Sequence, residues 1–296
     1  MRVHDRQRMG KTPRVRLALV ANDAAGSGVT AEQVAERLRA CGADVTAVVG
    51  VGEPERAAGT EPDRIVVAGG DGSVGPAAAA AGGAGIPLAV IPTGTANDFA
   101  RALELPLDLD EACALATDPG ARLRGLDLAR ADGRPFVNAA SAGLSVIAAR
   151  RAHPLKPSLG PLAYAVGALR AGLTARPLDC RVVVDGAERY AGRAWQVIVA
   201  GTGAFGGGSQ VDAADESDGR LDVAVLEAGP RAALVRRAWG MRRGDVTDQA
   251  GVRHARGRMI EVDGHAAGEF NVDGEVCHLH PARFETGGER FRVVCR

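Results

Sequence analysis

Aromatic side chains are scarce in this chain: Trp, Tyr and Phe make up 3% of its 296 residues. A core with so few large rings must be filled by aliphatic and small side chains. These are abundant, with 46% hydrophobic residues and 40 glycines. The small-residue bias reads either as the base composition of the gene or as loose packing. No charge sign dominates, because Lys+Arg and Asp+Glu both total 36. A neutral chain has no long-range pull on a polyanion, which argues against nucleic acid as a partner. The local pairs Arg236-Arg237 and Arg242-Arg243 read as a solvated helix face, with contact to an anionic membrane surface as the rival. The five cysteines, at 41, 113, 180, 277 and 295, are odd in number and lack CxxC or zinc-like spacing. They read as free thiols of a reducing compartment. No uncharged apolar run reaches the ~18 residues of a membrane span. The basic stretch Met1 to Arg16 lacks the apolar centre of a signal peptide. The expected location is cytoplasmic, with peripheral membrane contact left open. The nucleotide fingerprints GxxxxGK[ST] and GxGxxG are both missing.

What is present is an alternation of short apolar runs with helical patterns. Residues 16–20, 45–49, 64–68 and 88–91 read as strands. Thr30 with Gln33 forms a capping box ahead of the stripe Val34, Ala35, Leu38, and Gly42 stops that helix. A second helix is expected over 77–81, entered through Pro76 in its first turn. Short helices follow over 98–103 and 109–115. This is βαβ logic and argues for a mostly parallel sheet. From about residue 125 the texture changes. Runs at 122–128, 135–140, 178–184, 194–200, 221–226, 252–262 and 276–279 are joined by turns such as Asp132-Gly133 and Asp185-Gly186. They read as antiparallel strands. Residues 162–173 form the one clear helix of this half. The strand at 291–294 has the composition to close either half. Edge strands of the second half would need protection, which a homodimer would supply.

Two glycine-rich turns carry the chemistry. Gly69-Gly70-Asp71-Gly72-Ser73 follows the third strand, and Pro92-Thr93-Gly94-Thr95-Ala96-Asn97-Asp98 follows the fourth. Both open at one edge of a parallel sheet, a place to hold a nucleotide. Glycines let backbone N–H groups close on phosphate oxygens. Asp71 alone would repel a phosphate. It makes sense there with Mg2+ between them, or as the partner of a hydroxyl proton. A plain Asp-Gly turn is the rival reading. In the second turn Thr93 and Thr95 offer hydroxyls and Gly94 a close approach. Asn97 or Asp98 can cap the helix at Phe99, and a helix N-terminus favours an anion. The run from Gly201-Thr202-Gly203 to Gly208 reads as a long mobile loop. Asp212, Asp215, Glu216, Asp218 and Asp222 are dense in oxygen ligands but do not follow the EF-hand pattern. His153, His254, His265, His278 and His280 give no metal spacing and read as structural or surface residues.

The first turn, together with the run from Pro92 through Asn97-Asp98-Phe99-Ala100-Arg101, resembles the diacylglycerol kinase catalytic family, bacterial soluble lipid kinases related to sphingosine kinases. NAD kinases share the first turn but not the second run. Further resemblances extend over nearly the whole chain. They are Asn22 with Gly26, Asp127, the stretch Phe136 to Gly143, Asp218-Gly219-Arg220-Leu221-Asp222-Val223 and Asp273-Gly274-Glu275. The chain departs from the family pattern at Asp23, where proline is usual, and at Val74-Gly75-Pro76, where Asn-Glu is common.

The resemblance implies a Rossmann-like α/β nucleotide-binding domain over 14–128, an antiparallel β-sandwich acceptor domain over 129–290, and a final strand, 291–296, returning to the first. It implies ATP and Mg2+ as cofactors, and transfer of the γ-phosphoryl group to a hydroxyl of diacylglycerol or a related lipid at a membrane surface. Glu275 is the implied general base, with Asp71 at the phosphates and metal. Asn22, Gly26, Gly69, Gly70, Gly72, Ser73, Thr93, Gly94, Thr95, Asn97 and Asp98 are the implied nucleotide residues. Asp127 would bridge to Asp71 through water and metal, and Asp215 with Asp218 would hold a structural Mg2+. A NAD kinase-like phosphotransferase and a non-catalytic nucleotide- or lipid-binding protein are the alternatives.

Overall fold

The computed structural model describes residues 14–22, 28–152, 172, 174–205, 209–210, 217–234, 247–264 and 268–296. The first half runs β1 (Arg16–Ala21), α1 (Ala31–Ala40), β2 (Asp44–Gly50), α2 (Pro54–Ala58), β3 (Arg64–Gly69), α3 (Asp71–Ala84), β4 (Leu88–Pro92), α4 (Asp98–Ala102), α5 (Leu109–Thr117) and β5 (Arg122–Asp127). The second contains β6 (Ala129–Ala131), β7 (Arg134–Phe136), β8 (Ala139–Gly143), α6 (Leu144–Ala152), β9 (Leu178–Val184), β10 (Ala187–Ala200), β11 (Ala204–Phe205), β12 (Ser209–Gln210) and β13 (Leu221–Glu227). It ends with β14 (Val252–Gly257), β15 (Met259–Asp263), β16 (Glu269–Val272), β17 (Glu275–His278), β18 (Ala282–Glu285) and β19 (Arg290–Cys295).

The first sheet has the order β2-β1-β3-β4-β19-β5. Its central strand β3 is buried along its whole length, as a parallel strand covered on both faces must be. Edge strand β2 alternates between exposed and half-buried positions. The last strand inserts between β4 and β5, parallel to the first and antiparallel to the second. Phe291, Val293 and Val294 are buried there. The other strands form an 11-stranded sheet, antiparallel in its pairings, and a two-stranded ribbon. The larger sheet encloses its own core, in which Phe136 and Phe270 both pack against Phe284. A parallel-sheet domain and an antiparallel β domain are thus both present.

Helix α1 forms as its sequence dictates. Thr30 Oγ1 accepts from Gln33 N (3.3 Å), Gln33 Oε1 accepts from Thr30 N (2.9 Å), and Val34, Ala35 and Leu38 are the buried face. Helix α3 differs from expectation. It starts at Asp71, so the first glycine turn is itself helical and Pro76 lies inside the helix. Proline has no N–H, so the Gly72 carbonyl loses its usual partner four residues on. The helix gains close packing from its small residues. A Cβ on Gly75 would lie 2.6 Å from the Pro135 carbonyl oxygen, and one on Gly82 2.6 Å from that of Arg290. Here the glycines let backbone meet backbone, so loose packing is not their consequence. The segment 252–262 is two strands broken at Arg258. The helix expected over 162–173, apart from Gly172, and the arginine pairs at 236–243 lie outside the described residues.

Candidate active site

Strands β3 and β4 are neighbours, and their C-terminal turns lie side by side. Thr93 N donates to the Gly69 carbonyl at 3.0 Å. A Cβ on Gly94 would stand 2.5 Å from the Gly70 Cα, so only glycine permits this contact. The buried Ser73 hydroxyl folds over Gly69, and Asn22, at the end of β1, lies against the same glycine. Thr93 is buried, Thr95 exposed and Gly94 half-buried. Gly26, Asp215, His153, His265 and Gly206 to Gly208 lie outside the described residues.

Asp71 is the centre of this edge. Its Oδ1 accepts from Phe99 N and from Asn138 Nδ2, both at 2.9 Å. Its Oδ2 has no partner among the described residues. Phe99 sits in the first turn of α4, so Asp71 caps that helix from another segment. Asn97, expected as a cap, adopts left-handed backbone (φ +53°) and makes no side-chain cap bond. Its Oδ1 accepts from Gly94 N at 2.9 Å and its Nδ2 donates to the Gly94 carbonyl, which closes the second turn on itself. Asp98 is 5% exposed.

The second domain reaches the same place. Asn138 is 2% exposed and spans from Asp71 to Thr202, whose Oγ1 donates to Asn138 Oδ1 at 3.0 Å. Gly201 and Thr202 therefore belong to the site, although the sequence suggested a mobile loop. The buried Asp273 carboxylate accepts the N–H groups of Val137, Asn138 and Ala139 at 2.8, 2.9 and 3.1 Å. Burial pushes the Asp273 carboxyl up to about 7, and the Asp71 charge adds to the rise, while the three N–H donors pull the other way. Two residues on, Glu275 projects from edge strand β17. Its Oε1 lies 2.8 Å from where a Cβ on Gly72 would be, and Arg134 pairs with its other oxygen. Glu275 thus lies against Gly72, the residue after Asp71, at the start of α3. Asn138, Thr202 and Arg134 were missed by sequence reasoning, because none belongs to either glycine turn.

Asp127 is elsewhere. Strand β5 runs antiparallel to β19, and Asp127 pairs with Arg290 at its end. Val293 lies opposite Leu88, which lies opposite Ile65. Arg290 is three residues before that row and Gly69 four residues after it. At ~3.3 Å per residue, Asp127 and the Asp71 turn are on the order of 20 Å apart along the strands. The expected bridge through one water and one ion cannot span this. Asp127 Oδ2 instead accepts Gly219 N at 2.6 Å, and Oδ1 pairs with Arg290 at 3.1 Å. Nearby Asp218 accepts Arg220 N and pairs with Arg256. Arg256 also pairs with Asp222, which is 1% exposed and shares His254 Nε2 at 2.6 Å.

No group of three or more His, Cys, Asp or Glu among the described residues is arranged to hold a metal. Mg2+ commonly binds through one or two carboxylates plus substrate phosphates. Asp71, with one oxygen open beside glycine turns, fits that demand. Asp127 and Asp218, facing arginines, do not in this arrangement.

Residues 16–130 match the family model described as the diacylglycerol kinase catalytic domain, and residues 138–295 match the YegS C-terminal NAD kinase beta sandwich-like domain. A diacylglycerol kinase of Bacillus subtilis is 30% identical over 247 residues, covering 81% of this chain and 80% of that protein. One of Mycobacterium tuberculosis is 28% identical over 272 residues, 87% of each. A putative diacylglycerol kinase structure from Bacillus anthracis superposes with TM-score 0.75 at 24% identity, covering 97% of this chain and 99% of that one. An Archaeoglobus fulgidus NAD kinase in complex with ATP gives TM-score 0.52 at 16% identity, covering 94% and 93%. The two likenesses of structure concern the fold. With matching family models over both halves and a 30% identical relative over most of its length, the chain belongs to the diacylglycerol kinase family.

Proposed function

We propose that this chain, a kinase acting on an alcohol group by its family, transfers the γ-phosphoryl group of ATP to a hydroxyl of diacylglycerol or a related lipid presented at a membrane surface. The observation that carries this reading is the approach of two second-domain residues to the start of one helix, Asn138 to Asp71 and Glu275 to the adjoining Gly72. Phosphoryl transfer needs positioning, charge neutralisation and a group to take the hydroxyl proton. The paired glycine turns let phosphate oxygens approach backbone N–H groups. Asp71 Oδ2 would hold the Mg2+ of Mg·ATP, whose charge neutralises the phosphates. Glu275, whose side chain is 59% exposed, is open to an acceptor from outside the protein. It takes the proton as the acceptor oxygen bonds to the γ-phosphorus and the bond to ADP breaks. Arg134 holds that carboxylate in place. Among the described residues no helix is long and apolar enough to cross a membrane.

The test is transfer of labelled γ-phosphate from ATP to a panel of dioctanoylglycerol in mixed micelles, sphingosine, glycerol and NAD. Phosphorylated dioctanoylglycerol is expected. Glu275→Gln should lower kcat by about 10²- to 10⁴-fold while Mg·ATP still binds. Transfer to NAD alone, or to no acceptor, would overturn the proposal.

A further inference from the structure

Asn138 accounts for every polar atom it has. Its Nδ2 donates to Asp71 Oδ1, its Oδ1 accepts from the Thr202 hydroxyl, its N–H goes to Asp273, and its carbonyl accepts Gly201 N at 2.8 Å. The ionised Asp71 carboxylate can only accept, so the amide must present its NH2 to it. The Thr202 hydroxyl then becomes the donor to the other end. Reversing the amide would set two acceptors against each other in a buried place. The loop bearing Thr202 comes this near because residue 201 is glycine: a Cβ there would stand 2.8 Å from the Val137 carbonyl oxygen. Asp273 fixes the backbone on both sides of Asn138 through three N–H groups.

A neutral amide does something here that a guanidinium could not. It orients Asp71 through Oδ1 without cancelling the charge, and both hydrogen bonds fall on one oxygen, leaving Oδ2 open. We propose that Asn138, oriented by Thr202 and clamped by Asp273, is a positioning residue through which the second domain sets the orientation of the Asp71 carboxylate for Mg·ATP. The inference rests on the kinase reading above for its ligand, not for its contacts.

The experiment measures Mg·ATP affinity by calorimetry, with thermal unfolding in parallel, on the full chain and its variants Asn138→Ala, Thr202→Val and Thr202→Ser. Removing a buried hydrogen bond to a charged group should weaken Mg·ATP binding by about tenfold in Asn138→Ala. Thr202→Val should give a smaller loss, roughly threefold, because it frees the amide but leaves its contact with Asp71. Thr202→Ser keeps the hydroxyl and should restore wild-type affinity, a rescue that a mere packing role would not produce. Folded Thr202→Val with wild-type affinity, or Thr202→Ser as weak as Thr202→Val, overturns the inference even where Asn138→Ala does not fold. Wild-type protein that binds Mg·ATP but phosphorylates no acceptor overturns the kinase reading alone. Wild-type protein that binds no Mg·ATP overturns both.

Discussion

Asp71, at the start of α3, and Asp127, at the end of β5, are both half-buried aspartates, and their surroundings are opposite. Among the described residues Asp71 meets only neutral donors, an amide and a backbone N–H, and both use one oxygen. Asp127 meets Gly219 N on one oxygen and Arg290 on the other. Its neighbours Asp218 and Asp222 are likewise answered by Arg256. At Asp127 and Asp218 the guanidinium balances the charge, and the pairs join segments. A carboxylate held by neutral donors keeps its charge available to a ligand that brings a cation. The two edges of the first sheet are therefore built for different work, a ligand edge and a fastening edge.

The comparison breaks most easily at the ligand edge. Asp71→Asn keeps an acceptor for Phe99 N and removes the charge. Turnover should fall by about 10³-fold, since the variant loses electrostatic stabilisation at the transferred group. Thermal stability should barely change. A variant that transfers phosphate within tenfold of wild type would show that the open oxygen has no role.

At the fastening edge the expected loss is in stability. Arg256 is shared by Asp218 and the fully buried Asp222. Arg256→Met leaves Asp222 with His254 alone, and stranding a buried charge costs about 3 kcal/mol or more. Urea unfolding measures it. A loss below about 1 kcal/mol would mean that His254 suffices.

Asp273 lies between these extremes, buried like Asp222 but hydrogen-bonded, among the described residues, to backbone N–H groups in place of a guanidinium. Its carboxyl titrates near 7 in the folded chain, against an ordinary value of 3.8. Between about pH 4 and 7 the folded state keeps a proton that the unfolded state has released, so stability falls as pH rises through this window and levels off above it. The slope contributed is at most ~1.4 kcal/mol per pH unit, and water penetration will reduce it. Asp273→Asn should flatten the slope. An unchanged profile of unfolding free energy between pH 4 and 7 would mean that the three N–H donors hold the carboxylate ionised throughout.

Local chemistry was legible in the sequence and long-range pairing was not. The capping box of Thr30 and Gln33 and both glycine turns depend on residues within a few positions of each other, so spacing alone announces them. Asn138 lies 67 residues from Asp71. It is a neutral amide at the end of an ordinary apolar run, with nothing in its type to mark it. Thr202 sat among glycines that read as a loop. The start of α3 was hidden because Gly70, Asp71 and Gly72 are poor helix formers; the contacts with Asn138 and Glu275 come from the second domain. Asp127 was set beside Asp71 by the resemblance alone; the reversed direction of β5, set by the return of β19, carries it to the other end of the strands.

The smallest effect is expected from Asp127 itself. Asp127→Asn keeps an acceptor for Gly219 N and removes only the partner of Arg290, whose side chain is 60% exposed. A solvated guanidinium loses little when such a pair is broken, so the change should stay near 1 kcal/mol or below. Mg·ATP affinity should remain within about threefold of wild type, because a charge some 20 Å from the nucleotide turn is screened over more than one Debye length. Equal losses of affinity in Asp127→Asn and Asp71→Asn would show that the two edges act as one site, and the division between ligand edge and fastening edge would fall. A loss of stability alone would keep it, and would locate the contribution of Asp127 in the turn at Gly219, where the two domains are tied together.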